Sequence, residues 1–87
     1  MEKTNNKNAK HYVLNFKNFK GSNLIGKNTN NAYVVLSYGY YPIFLYKDGI
    51  WYENDNSYSH STKVHMAHTR PTSDTILLNT EELKELV

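Results

Sequence analysis

His60, His65 and His68 follow one another as H-x4-H-x2-H. On a helix, His65 and His68 stand at neighbouring positions of one face, so two imidazoles could meet one zinc ion, with His60 or Asp74 as a third ligand. Zinc-binding motifs have more distinctive spacings, no cysteine assists here, and His11 shows that the chain places histidine elsewhere too. Polar surface and hydrogen-bonding roles are the stronger reading, and no metal is expected. Ser59, Ser61 and Thr62 lie close to His60 and His65, the raw material of a nucleophile and its base. There is no Gly-x-Ser-x-Gly elbow and no placeable third member. These hydroxyls are expected to cap and turn the chain, as Ser and Thr do by bonding nearby backbone groups. Asp48, Glu53 and Asp55 invite acid–base chemistry, but Asp48 is needed for a turn and 87 residues leave little room for a substrate cleft. A non-enzymatic protein without a cofactor is the expectation.

Binding has more support. Lys10, Lys17, Lys20 and Lys27 alternate with His11, Tyr12, Phe16 and Phe19, a mix of cations and stacking rings that can track a nucleic-acid strand, to which Lys63 and Arg70 could add. Against this stand a pI of about 8.8 and the acidic residues within 81–85. A protein partner is favoured by Tyr38, Tyr40, Tyr41, Tyr46 and Trp51, because large rigid rings anchor interfaces at little rotamer cost. The competing reading makes the same rings the core. Tyr38-Gly39-Tyr40-Tyr41-Pro42 is the better interface segment, since a turn points rings outward. Edge pairing of an exposed strand, giving a homodimer or a strand added to a partner's sheet, is a further route.

Composition explains why the rings carry a double duty. Leu, Ile, Val and Phe make up 20 of 87 residues, close to the fraction of roughly 20% below which chains stay disordered. Eight tyrosines and one tryptophan restore the missing bulk, and seven of those tyrosines lie between Tyr33 and Tyr58. The absence of cysteine excludes disulfides and thiolate chemistry. The net charge of +2 divides unevenly: residues 1–31 hold six lysines against Glu2, whereas the remainder is mildly acidic. No run approaches the roughly 20 apolar residues of a membrane span, and the first residues lack the apolar centre of a signal peptide. A cytoplasmic protein that avoids membranes is expected.

The elements read as follows. Residues 1–10 form a flexible polar tail and 11–87 one α+β domain. Tyr12-Val-Leu-Asn-Phe16 is a weak strand, extended by Phe19. Leu24-Ile25 and Ala32–Ser37 flank a polar hairpin loop. Asp48-Gly49 suits a two-residue type I′ turn that pairs Lys47 with Ile50, Tyr46 with Trp51 and Leu45 with Tyr52. That register sets Tyr46 and Trp51 on one face and Leu45 and Tyr52 on the other. Residues 59–70 form a short helix or turn ending before Pro71. Thr75-Ile-Leu-Leu78 is a last strand, after which Asn79 and Glu82 open a helix as a capping box with Leu83, Leu86 and Val87 as its apolar stripe. The expected architecture is a small antiparallel sheet of three to five strands with a C-terminal helix.

From Gly21 to Pro71 the chain resembles a small domain family of bacteriophage and mobile-element proteins that has no settled activity. The resemblance is carried by Gly21-Ser-Asn-Leu24, Tyr33-Val-Val, Ser37-Tyr38-Gly39, Pro42 and Trp51-Tyr-Glu-Asn54. It continues through Tyr58-Ser59, Ser61-Thr62, His65 and Arg70-Pro71. Ala67 and His68 depart from the pattern, which carries serine or threonine and then glutamine there. The resemblance implies a β-hairpin core and a bacterial host cytoplasm, with a host or phage protein complex as partner. An inhibitor of a bacterial defence complex, in the manner of an anti-CRISPR protein, is the most concrete function that this setting and size imply.

Overall fold

Asp48 and Gly49 take φ of 53° and 84°, the left-handed values that both centres of a type I′ turn need. Lys47 lies opposite Ile50, Tyr46 opposite Trp51 and Leu45 opposite Tyr52, as that turn dictates. In the computed structural model, which describes residues 2–5, 8–56 and 60–87, this hairpin is β5 (Tyr41–Lys47) and β6 (Ile50–Asn54). Before it come β1 (Glu2–Lys3), α1 (Ala9–Leu14), β2 (Phe19–Lys20), β3 (Leu24–Asn28) and β4 (Tyr33–Ser37). After it come α2 (His60–Thr69), β7 (Thr75–Leu78) and α3 (Thr80–Leu86).

The α+β class holds, but three to five antiparallel strands do not. Among the described residues six strands, β2 to β7, lie side by side in chain order, and the two-residue β1 adds a seventh at the edge. Only β2 to β6 form an antiparallel meander; β1 runs parallel to β2, and β7 parallel to β6. Lengths explain the second parallel pair. A ten-residue α2 spans about 15 Å, close to the roughly 17 Å of a five-residue strand, so it returns the chain to the end at which β6 began. Both crossovers start from strands of the same direction and move the same way along the sheet. A shared hand therefore puts α1 and α2 on one face, where they pack against each other.

The expected strand at Tyr12–Phe16 is instead α1 and its terminus. Ala9 and Val13, four residues apart, are both fully buried against the sheet, and that contact overrides the β-preference of Tyr12-Val13. The helix ends in a Schellman motif: Phe16 N–H donates to Val13 O at 3.1 Å and Lys17 N–H to Tyr12 O at 2.9 Å. Phe16 sits at the left-handed position, φ 53°, which glycine usually fills. The boundary expected at residue 10 falls inside α1, and Glu2–Lys3 pairs with β2.

Two cores result. On the α1/α2 face, Val13, Phe19, Tyr33, Val35, Phe44 and Trp51 pack together with others. On the opposite face Leu83 of α3 closes over Val34 and Leu45. A bulge in β5 serves the larger core: the register slips between Val35 and Leu36, so consecutive Ile43 and Phe44 both join it. Pro42, which has no N–H to give, sits at that irregularity. The capping box of α3 forms as expected, with Glu82 N–H donating to Asn79 Oδ1 at 2.9 Å and Asn79 N–H to Glu82 Oε1 at 3.1 Å. Lys47 Nζ donates to Leu86 O at the other end of the helix, at 3.2 Å.

Candidate partner-binding surface

The five rings expected at an interface do not form one patch. β5 carries Tyr41 at one end and Tyr46 near the other, about 17 Å apart at strand rise. Tyr38 and Tyr40 belong to the β4–β5 turn beside Tyr41, whereas Trp51 pairs with Tyr46 by the Asp48-Gly49 turn. Exposure separates them further: Tyr40 is 73% exposed and Tyr38 46%, while Trp51 is only 6% exposed. Trp51 is core, held edge-on to Tyr46 at 5.3 Å and stacked with Phe16 at 5.8 Å. Tyr41 and Tyr46 are half-buried against the same core, and Tyr41 Oη accepts from Thr80 Oγ1 at 3.4 Å.

The surface that remains is the turn Tyr38-Gly39-Tyr40. Tyr38 has φ 56° and Gly39 φ 79°. A left-handed backbone suits Gly39, but at a bulky ring it stores strain of about 1–2 kcal/mol. The turn is nevertheless fixed: Tyr38 N–H donates to Asn23 O at 2.7 Å, and Tyr40 N–H to Ser37 O at 3.3 Å. Below it the Tyr38 ring meets the His65 ring at 5.2 Å. The result is two outward rings on a rigid mount, a geometry that loses little entropy when a partner covers it. A second open groove, about 480 Å³, lies at the opposite end of the sheet and is lined by Phe16, Tyr46, Ile50, Asp74 and Ile76 among others.

The basic set divides between faces. Lys10 on α1 and Lys63 on α2 are exposed on the helical side. Lys20 lies opposite Lys3 and Ile25, and Lys27, two residues along β3 from Ile25, shares their face, the one opposite buried Phe19 and Gly26. Lys3, Lys20 and Lys27 therefore line the half of the α3 face that the helix leaves uncovered. Lys17 is exposed after α1. Phe19, expected to stack on bases, is fully buried, because its ring fills the space over Gly26. Arg70 is committed to Glu53, with Nη1 to Oε1 at 2.7 Å and Nη2 to Oε2 at 3.1 Å.

Of the histidine and hydroxyl candidates, Ser59 and the side chains of His60, Ser61 and Thr62 lie outside the described residues. Among the described residues no group of three His, Cys, Asp or Glu side chains gathers that could hold a metal. His65 instead meets a serine absent from the expected set: Ser37 Oγ is 2.7 Å from His65 Nδ1. Ser37 is fully buried and His65 4% exposed, so this hydroxyl cannot reach an acyl carbon in a bound substrate. Burial, and then the charge of nearby His68, push the His65 imidazole below its ordinary value of 6.5. Burial likewise pushes the Tyr33 phenol up, and its hydroxyl donates to Lys17 O at 2.8 Å. Glu53 is held below the usual carboxylate value by the Arg70 hydrogen bonds, against its own partial burial, with help from Thr75. Asn54 is a second buried polar centre, donating to Pro42 O at 2.7 Å and Thr80 Oγ1 at 2.9 Å. A polar residue inside an aromatic strand was the available sign of it.

Comparison with known proteins finds no family model, no curated protein and no solved structure that matches this chain.

Proposed function

We propose that this protein is a non-enzymatic binding module of a phage or mobile element that engages a macromolecular partner through the Tyr38-Gly39-Tyr40 turn. The observation that carries the reading is that two tyrosines are held outward, one of them 73% exposed, on a backbone that costs energy to keep. The most concrete form is an inhibitor that occludes a bacterial defence complex, as anti-CRISPR proteins do; support for that form comes from chain size and the sequence resemblance. The test is a phage-challenge assay in cells with an active CRISPR system, run with the wild-type protein and with Tyr40→Ala. Protection of the phage by the wild type and its loss in a folded Tyr40→Ala variant is the expected result. No protection by the wild type removes the inhibitor form.

A second reading is favoured by a different observation, the row of Lys3, Lys20 and Lys27 on the uncovered half of the sheet. Direct Lys3–Lys20 opposition costs stability in the free protein and would be relieved by a phosphate backbone. Titration of a labelled oligonucleotide at two salt concentrations tests it. Binding that weakens steeply with salt and disappears in Lys20→Glu/Lys27→Glu is expected, and absence of binding at low salt ends this reading.

A further inference from the structure

The two edges of the sheet are guarded differently. β1 ends one side after two residues, both charged, Glu2 and Lys3, which is how natural sheets block further pairing. β7 ends the other side as Thr75-Ile-Leu-Leu78, with no charge, proline or bulge. Ile76 is 49% and Leu77 59% exposed, so neither helix layer covers these two side chains, while Leu78 packs against the α3-side core. Within a strand the N–H and C=O of one residue point the same way and alternate between neighbours. Leu78 O accepts from Asp55 N–H at 2.8 Å, so Leu78 and Ile76 turn their backbone groups to β6, and Thr75 and Leu77 turn theirs outward. Asn79 N–H is already used by Glu82, which ends the open ladder on that side.

The open groups are thus arranged symmetrically about Ile76, one residue on each side of it. An edge of this kind is complementary to itself. A two-fold axis through Ile76 lays a second β7 antiparallel to the first and brings Thr75 opposite Leu77 of the partner subunit. Both hydrogen-bonded pairs are then complete, and no charge meets a like charge. We propose that this protein forms a homodimer by antiparallel β7–β7 pairing, with Ile76 on the dyad facing Ile76 of the partner subunit. The pairing is isologous, so it closes at two copies. It continues the sheet and removes the exposed edge. A second copy is the occupant because both open residues and their spacing are supplied by the same strand. Ile76 and Ile50 both line the neighbouring groove, so a second apolar side chain of each copy flanks the dyad.

The register makes the test specific. Ile76 and its symmetry mate form a non-hydrogen-bonded pair, with Cα atoms about 4.5 Å apart, inside the range of about 4.4–6.8 Å that a disulfide spans. Leu77 is displaced from its own mate by two strand positions and falls outside that range. The chain has no cysteine, so single-cysteine variants report without background. Sedimentation equilibrium of the full chain is expected to give a mass approaching twice 10.2 kDa as concentration rises. Ile76→Cys is expected to cross-link under mild oxidation, and Leu77→Cys is not. Leu77→Pro removes only an outward N–H and is expected to be monomeric with an unchanged circular dichroism spectrum. Leu77→Lys serves the same purpose if the proline variant fails to fold. A monomer at every soluble concentration overturns the proposal. So does a dimer that survives both Leu77 variants, and so does cross-linking through Leu77→Cys in place of Ile76→Cys.

Discussion

Ser37 and His65, on β4 and α2, share a buried hydrogen bond of 2.7 Å between Oγ and Nδ1. It fixes the crossover helix to the centre of the sheet, directly under the Tyr38 ring. Because burial lowers the His65 pKa in the folded state, the unfolded chain takes up its proton first as pH falls. The stability that the neutral imidazole secures is therefore complete above about pH 6.5 and is lost as pH falls from there through the folded value. Thermal unfolding followed from pH 8 to pH 5 should show a falling midpoint, and His65→Gln should flatten that slope. Ser37→Ala should cost about 1–3 kcal/mol, because it strands a buried ring nitrogen.

The Glu53–Arg70 pair acts in a lower window. Arg70 reaches Glu53 from the end of α2 through both guanidinium nitrogens and lies over the Phe44 ring at 5.4 Å. Its hydrogen bonds depress the Glu53 pKa below 4.5, so this contribution is present above that pH and is lost as pH falls through the folded value. The Arg70 side chain is half exposed, which limits the effect through solvent screening. Arg70→Ala should cost about 1 kcal/mol by urea unfolding at pH 7, with the difference from wild type closing in acid. Arg70→Lys should recover only part of the loss, since lysine cannot bind both carboxylate oxygens.

These two pairs show what was legible in the sequence and why. Local chemistry was: the Asp48-Gly49 register and the Asn79–Glu82 box depend on residues within a few positions of each other, and both formed. The fate of Tyr12–Phe16 was not, because its helix depends on burying Ala9 and Val13 against layers contributed by distant segments. β1 and β2 have two residues each, too few for any period to register. Tyr38 and Tyr40 were readable as outward because a turn has little to cover it. Trp51 was misplaced because the cover on its face comes from α1 and its terminus, an element read as a strand. The residues that carry the sequence pattern close largely on one another, Ser37 on His65, Glu53 on Arg70 and Asn54 on Pro42.

Gly26 is constrained by a contact that spacing does not reveal. It lies opposite Phe19 across β2–β3, and the Phe19 ring folds over it. A Cβ at Gly26 would overlap Phe19 Cε1 and stand 2.5 Å from Tyr33 Oη. Both rings are buried, so accepting the methyl group means repacking the core around them. Gly26→Ala should destabilise by about 1–3 kcal/mol in chemical denaturation. The double variant with Phe19→Leu should lose less than the two single losses together, since the smaller side chain accepts the methyl group.

Phe16 and Tyr38 provide the sharpest separation of folding from function. Both are aromatic, both have left-handed φ, 53° and 56°, and both are about two-fifths to one-half exposed. Glycine would relieve the backbone at either position. At Phe16 the ring meets Tyr33, Tyr46 and Trp51, contacts worth about 0.5–1.5 kcal/mol each beyond their buried area, so Phe16→Gly should destabilise by about 2 kcal/mol or more. At Tyr38 the described ring contact is with His65 alone, and relief of the backbone strain offsets part of its loss. Tyr38→Gly should therefore cost less stability than Phe16→Gly, about 1 kcal/mol or less, while weakening partner capture at least tenfold. A stable Tyr38→Gly protein that captures its partner as well as the wild type would show that the Tyr38 ring is needed for neither folding nor binding, and would move the binding surface away from it.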